Sequence, residues 1–489
     1  FMQFENTYSN LPEHFFQRTR PVSVANPTLI CCNHKLIEEL NLKLDLTEPE
    51  TVAKIFSGNI ILDGSDPIAL AYAGHQFGHF VPQLGDGRAV LLGEVLDANN
   101  ARWDIQLKGS GPTLFSRNGD GRAALGPVIR EYILSESMHA LGVATSRSLA
   151  AVKTGENVFR ETVEPGAILT RVASSHIRVG TFQYYLAKND FNAIKLLADY
   201  AINRLYPDAR KAKNPYLELL HQICDRQASL IASWMHLGFI HGVMNTDNMA
   251  ISGETIDYGP CAFLDNYNPD AVFSSIDSMG RYAFGNQAKI AQWNLARLAE
   301  CILPLLDSDE KKAIALATDI IETFDGIYDD YYLGGMRRKF GFLSNKSEDK
   351  SIIDELLNLM QRFGLDYTLV MRGLCSAVKT SSDITELSDK FSNAIEFEDW
   401  IRRWRDRLQL ESIDPNEIIR SMKNINPVFI PRNHLIENVI QSAVGDNDFK
   451  LFQDLLLALS NPFEDNKDFM SFKLPPKSNE IVHQTYCGT

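Results

Sequence analysis

His241-Gly242-Val243-Met244-Asn245-Thr246-Asp247-Asn248, followed by Ile256-Asp257-Tyr258-Gly259, is the stretch on which the reading of this chain turns. It holds two side-chain amides, Asn245 and Asn248, and two carboxylates, Asp247 and Asp257. Amide and carboxylate oxygens are hard donors that suit magnesium beside phosphate groups. Upstream, Leu217, Leu220, Cys224, Ala228, Ile231 and Met235 step by three or four, which predicts a helix stopped by Gly238. Downstream, Met249–Ser252 and Thr255–Asp257 predict short strand-like pieces. His241 to Asn248 is therefore expected to be a loop leaving a helix.

The spacing within this loop is informative. A protein-kinase catalytic loop reads H-R-D-x-x-x-x-N, and His241 to Asn248 spans the same seven positions. The apolar-Asp-aromatic-Gly unit around Asp257 stands where D-F-G places its metal-holding aspartate. One member is absent: Val243 occupies the place of the base and accepts no proton. Since general-base assistance is worth roughly two to four orders of magnitude, ordinary phosphoryl transfer is crippled unless Asp247 serves from another direction. Asp247 equally suits a turn residue that stabilises the loop.

Toward the N-terminus, Ala89–Leu96 and Trp103–Lys108 are strand-like runs joined by the turn cluster Asp97–Arg102, which predicts a hairpin. The pentapeptide Gly85-Asp86-Gly87-Arg88-Ala89 recurs as Gly119-Asp120-Gly121-Arg122-Ala123. Glycine lets backbone approach an anion closely and arginine supplies a forked cationic donor, although tight turns with surface arginines read the same way. Lys108 ends its strand and a predicted helix with Val128, Tyr132 and Leu134–Met138 carries Glu131, the order of a kinase lysine–glutamate pair. Two further strands are expected near Ser148–Val152 and Ala167–Val172, the second entered by a turn at Glu164-Pro165-Gly166. Arg171 and Arg178 sit at the junction with the helical part, placed either to clamp a polyphosphate or to bridge lobes.

Helical periodicity recurs at Gln287–Leu306, Ile314–Tyr328, Ile352–Phe363 and Asp399–Leu408. The expected class is α+β, a protein-kinase-like bilobal fold with a small β-rich N-lobe and a helical C-lobe. Residues 1–75 read as an irregular N-terminal extension, 76–175 as the N-lobe, 176–345 as the C-lobe and 346–489 as a helical C-terminal extension.

Composition narrows the rest. With 489 residues, 45% hydrophobic and 22% charged, the chain is globular and long enough for about two to four domains. A net charge of −14 disfavours a nucleic-acid partner. No apolar run approaches the roughly 18 residues of a membrane span. The first residues have neither a signal-peptide nor a transit-peptide pattern. Seven irregularly spaced cysteines favour a reducing compartment, so a cytoplasmic protein is expected. His75-Gln76-Phe77-Gly78-His79 has zinc-peptidase spacing, but Gln76 replaces the base and Gly78 weakens the required helix. Trp400, Trp404 and the charged pairs around them read as a solvated helix rather than a nucleic-acid patch.

Taken together, Ala71-Tyr72-Ala73-Gly74-His75-Gln76-Phe77-Gly78, Asn245-Thr246-Asp247-Asn248-Met249 and Leu264-Asp265 resemble the selenoprotein O family over most of the chain. Members look like protein kinases without the usual base and act as protein adenylyltransferases on an ATP bound in flipped orientation. The resemblance implies that Gly85, Gly87 and Arg88 contact nucleotide, that Lys108 holds phosphate and that Glu131 is its partner. It assigns Asp120, Gly121, Arg171 and Arg178 to the inverted nucleotide, and Asp257 to nucleotide and metal. It implies that Asn248 is the second ligand of Mg2+ or Mn2+ and that Asp247 is the proton acceptor. Members of the family carry selenocysteine or cysteine third from the C-terminus, here Cys487, either an inert tail thiol or, as in some members, the partner of an activation-segment cysteine in a regulatory disulfide. The matching activation stretch Phe273–Asp277 lacks a cysteine, and Cys261 is the nearest thiol.

The implied reaction moves AMP from ATP to Ser, Thr or Tyr hydroxyls of protein substrates and releases pyrophosphate, with no membrane or nucleic-acid partner. A nucleotide-binding pseudokinase without catalysis, and phosphotransfer to a small molecule or protein, stay open as alternatives.

Overall fold

A computed structural model describes residues 2–379 and 395–486. The first 75 residues depart from the irregular path expected of them. They supply strands β1 (Phe16–Arg18), β2 (Thr28–Cys32) and β3 (Ile68–Leu70), with helices α1 (His34–Glu39) and α2 (Pro49–Phe56) between β2 and β3. Strands of three to five residues are too short to display alternation, which is why sequence periodicity passes over them. A tight hairpin follows, β4 (Gly74–Gln76) and β5 (His79–Val81), and then the long hairpin β6 (Ala89–Leu96) and β7 (Arg102–Lys108). Asp97 closes that hairpin by accepting from the amides of Asn99 (2.8 Å) and Ala101 (2.9 Å).

Strand β8 (Ala123–Ala124) leads into helix α3 (Leu125–Ala140), and β9 (Arg147–Phe159) and β10 (Val163–Ala173) complete an antiparallel sheet. Its order is β1-β3-β6-β7-β10-β9-β2, with β8 added to β10. The β9–β10 turn falls at residues 160–162, not at Glu164-Pro165-Gly166. Pro165 instead sits at a register shift within β10, where the amide that proline lacks is not needed by the ladder. One sheet face packs Leu91, Ala151, Ala167 and Leu169 against α3. The other packs Leu107, Val152, Ile168 and Val172 under α1 and α2. Both faces of the sheet are thus covered, and even the polar side chains of β7, Asp104 and Gln106, are buried.

The chain then turns helical: α4 (Val179–Ala187), α5 (Phe191–Leu205) and α6 (Pro215–Leu237), the last ended by Gly238 in the left-handed region at φ 80°. Strands β11 (Phe239–Ile240) and β12 (Ala262–Phe263) pair around the loop region. The strand-like pieces read at Met249–Ser252 and Thr255–Asp257 form only single bridges, Ala250 to Arg178 and Thr255 to Thr145. Their apolar side chains fill the core as irregular backbone. Helices α7 (Gln287–Leu306), α8 (Glu310–Glu322), α9 (Phe324–Lys339), α10 (Asp349–Phe363) and α11 (Tyr367–Ala377) follow. The single helix expected over Ile314–Tyr328 is divided at Thr323, whose hydroxyl donates back to the Ile320 carbonyl at 2.6 Å. Further helices span Ile395–Gln409, Pro415–Lys423, Asn433–Asp446 and Lys450–Ser460.

The protein is thus a mixed α and β fold, one antiparallel sheet followed by many helices. No helix among the described residues is long and apolar enough to cross a membrane.

Candidate functional site

The loop after β11 is fixed from beneath. His241 is buried against Trp234, its Nε2 bonded to the Ile256 carbonyl at 2.7 Å. Burial holds this imidazole below its ordinary value, so the histidine is a neutral strut and not a proton carrier. Asn294 Nδ2 on α7 donates to the Met244 carbonyl at 2.8 Å, and Asn248 Nδ2 donates to the Val243 carbonyl at 3.0 Å. The second bond leaves the Asn248 amide oxygen free to accept or ligate.

From above, the β4–β5 hairpin lies on the same loop. The His75 amide donates to Thr246 Oγ1 at 2.7 Å, the Phe77 amide to Asn245 Oδ1 at 3.1 Å, and Gln76 Nε2 to Asp247 Oδ2 at 3.3 Å. Thr246 in turn donates to Gln183 Oε1 on α4 at 2.6 Å. A Cβ on Gly74 would overlap Asp247 Oδ1, and a Cβ on Gly180 would overlap the Ala73 carbonyl, so only glycine allows this approach. Asp247 is consequently 7% exposed, and its Oδ1 has no hydrogen-bond partner. Desolvation pushes its carboxyl up to about 6, against the opposing pull of Arg178 and Gln76.

Beside it runs an unbroken chain of charges. Lys108 Nζ lies 2.9 Å from Glu131 Oε1, and Glu131 Oε2 lies 3.8 Å from Arg171 Nη1. Arg171 Nη1 reaches Asp257 Oδ1 at 2.6 Å, Arg178 Nη1 is paired with Asp257 Oδ2, and Arg178 also donates to the Asp247 carbonyl at 2.6 Å. The two guanidinium groups offset the desolvation of Asp257 and hold it well below the usual carboxylate range. Asp257 adopts the left-handed conformation at φ 57°, uncommon for aspartate and frequent at functional sites. Arg178 Nε is buried with no partner, a cationic donor left over in the site.

The repeated Gly-Asp-Gly-Arg-Ala units are brought together but are not equivalent. Thr113 Oγ1 donates to the Asp86 carbonyl at 2.6 Å and Ser116 Oγ to the Gly87 carbonyl at 2.5 Å, zipping the 85–88 turn to the loop that carries the second copy. Gly121, at φ 67°, leaves no room for a Cβ against Gly111 and Pro112. Asp86 points into the core, accepting from the Leu70 amide at 3.0 Å and Gln106 Nε2 at 3.3 Å, while Gln106 Oε1 accepts from Arg171 Nη2 at 2.7 Å. Asp120 is exposed and paired with Arg160 Nη1 at 2.9 Å. The Arg88 guanidinium forms no ion pair among the described residues.

Several contributors escape sequence reasoning: Gln76, Asp86, Gln106, Gln183 and Tyr282, whose hydroxyl donates to Asn245 Oδ1 at 2.8 Å. Gly74, whose missing Cβ admits the Asp247 carboxylate, is the local signal that could have marked the approach at Gln76.

The donor set suits a hard cation: a free amide oxygen on Asn248 and an ionised Asp257 whose oxygens retain lone pairs beyond those given to arginine. No group of three or more His, Cys, Asp or Glu that could hold a metal occurs among the described residues. Further ligands would come from phosphate oxygens and water. Cys487 lies outside the described residues. Cys261 is a free thiol, buried, with its pKa pushed up to about 11.

This arrangement of clustered cations, hard oxygen donors and a buried carboxylate suits a nucleotide-handling enzyme. A family model described as protein adenylyltransferase SelO matches residues 1–460. Protein nucleotidyltransferase YdiU of Rhizobium meliloti (strain 1021) is 52% identical over 487 residues, covering 100% of this chain and 99% of that protein. YdiU of Agrobacterium fabrum (strain C58 / ATCC 33970) is 54% identical over 488 residues, with 100% of both covered. YdiU of Bradyrhizobium diazoefficiens is 53% identical over 486 residues, with 99% of each covered. The chain belongs to the SelO family.

Proposed function

We propose that this protein transfers AMP from ATP to a Ser, Thr or Tyr hydroxyl of a protein substrate. The hydroxyl oxygen attacks the α-phosphorus, Asp247 takes the hydroxyl proton, and the bond from the α-phosphorus to the bridging oxygen breaks. Pyrophosphate leaves with that electron pair. The observation that carries the reading is the paired change at the loop: valine at 243 and a buried carboxylate with an unpartnered oxygen at 247. Such a carboxylate, near neutrality, is matched to proton acceptance.

A base displaced from the kinase position calls for a displaced phosphorus, so the nucleotide enters tail first. Gly85, Gly87 and Arg88 line its path, Lys108 engages phosphate and Glu131 orients Lys108. Asp120 and Gly121 shape the loop against the inverted nucleoside. Arg171 and Arg178 take the departing pyrophosphate through N–H donors that Asp257 leaves unused, the buried Arg178 Nε among them. Asn248 and Asp257 hold Mg2+ or Mn2+, which supplies charge neutralisation at the phosphates.

The architecture is read as bilobal and kinase-like: a β-rich lobe over 76–175 and a helical lobe over 176–345. The extension 1–75 adds edge strands to the sheet, and 346–489 forms a helical flank. Free cysteines suit a cytoplasmic setting.

ATP labelled on the α-phosphorus should label a protein substrate, whereas ATP labelled on the γ-phosphorus should release its label as pyrophosphate. Label from the γ position on protein would instead identify a kinase. Tight ATP binding without either would identify a pseudoenzyme.

A further inference from the structure

Arg281 is a cation beside the site that no carboxylate pairs with among the described residues. Among the described residues its guanidinium forms no ion pair; it bonds the neutral Tyr282 hydroxyl, and its Nε is buried without a partner. It lies over the Trp293 ring at 4.9 Å and beside the Tyr282 ring at 5.7 Å. Arg297 lies over the same indole at 4.6 Å, so the two guanidinium carbons are within about 10 Å of each other. Arg297 is paired with Glu300 at 2.7 Å. Asp277, the nearest carboxylate to Arg281 along the chain, is spent on the Arg281 and Tyr282 amides at 2.9 Å each. A concentrated, incompletely paired positive patch is thus kept on a chain of net charge −14. Leaving a charged donor partly desolvated and unpaired is costly unless a ligand completes it.

Its place says which ligand. A Cβ on Gly78 would sit 3.4 Å from Arg281 Cζ. Gly78 shares a tight hairpin with Gln76, which bonds the Asp247 carboxylate. Tyr282, the next residue, bonds Asn245 in the same loop. His75 of that hairpin meets Trp293 edge-on at 5.2 Å. All its contacts are on the side of the hairpin and α7, and none is with Lys108, Glu131, Arg171 or Asp257, the groups assigned to the nucleotide.

We propose that Arg281, supported by Trp293 and Arg297, is a recognition site for the acceptor polypeptide and binds an acidic side chain close to the hydroxyl that is modified. The inference rests on the adenylyltransferase reading and names the substrate class of that site. An arginine fork on a carboxylate gives a short, charge-assisted bond.

The test is AMP incorporation from α-labelled ATP into arrayed peptides, each with one Ser, Thr or Tyr, flanked by Glu or by Gln. Wild-type protein should label Glu-flanked peptides about tenfold or more over Gln-flanked ones. Arg281→Gln should abolish that preference while leaving the affinity for ATP within about twofold, and Arg281→Glu should turn it toward Lys-flanked peptides. The wild-type comparison stands whether or not the variants fold. Equal labelling of both sets overturns the proposal, as does labelling of folded proteins but of no peptide. A preference that survives Arg281→Gln, or a loss confined to ATP affinity, also overturns it and assigns the arginine elsewhere. Absence of AMP transfer to any acceptor would instead sink the adenylyltransferase reading itself.

Discussion

Asp247 is where chemistry and stability pull in opposite directions. As proton acceptor it must be ionised, so AMP transfer should rise as pH passes upward through about 6 and then level off. Stability runs the other way. The folded chain holds this proton more tightly than the unfolded chain, so the contribution is full below the ordinary value of 3.8 and is lost as pH rises through about 6. Asp247→Asn should therefore abolish transfer and stabilise the protein by about 2–3 kcal/mol at pH 8, an advantage that shrinks toward pH 4. Melting curves of both proteins across that range check it, and parallel curves would contradict it. Asp257 behaves oppositely, because Arg171 and Arg178 depend on it. Asp257→Ala should abolish transfer and cost about 3–5 kcal/mol in chemical denaturation, since it strands two buried cations. The pairing of Lys108 with Glu131 was legible in the sequence, from a strand-end lysine followed by a glutamate-bearing helix. Gln76 was not, since its partner Asp247 is 171 positions away and nothing local marks the meeting.

At the scale of elements, the β4–β5 hairpin covers the His241–Asn248 loop, and Gly74 is its tightest point. Gly74→Ala would drive a methyl into the Asp247 carboxylate. AMP transfer should fall at least about tenfold, because misplacing a reacting group by about an ångström costs two orders of magnitude. Unchanged turnover would show that the hairpin is not held against the loop during reaction. The sequence reading of this element went no further than that it is not a zinc helix, and the structure makes it a hairpin. Long amphipathic helices such as α6 and α7 declare themselves through many repeats of one period. Three-residue strands such as β1 and β3 are defined only by partners elsewhere in the sheet, and the α8–α9 break at Thr323 falls within an unbroken apolar rhythm.

Across the whole molecule, the C-terminal helices return to support the helix that carries Glu131. Tyr132 on α3 meets Phe452 with ring centroids 5.7 Å apart, and Arg130 reaches both the Gly259 carbonyl and Asn433 Oδ1. Arg432, 1% exposed, ties Asp265 and Asp366 at 2.7 Å each. Arg432→Ala should lower stability by about 3–5 kcal/mol, read from urea denaturation, because two carboxylates lose their buried counter-charge. A change below about 1 kcal/mol would mean the tie is solvated and dispensable. Reading residues 346–489 as a helical appendage missed this inward role, since periodicity reports that a helix has an apolar face but not what covers it.

The central claim is the inverted nucleotide, and a crystal structure with a non-hydrolysable ATP analogue and magnesium tests it most directly. The account predicts the α-phosphorus beside the Asp247 carboxylate, with the β- and γ-phosphates deep against Arg171 and Arg178. A γ-phosphorus at Asp247, with adenine seated as in a protein kinase, would contradict it.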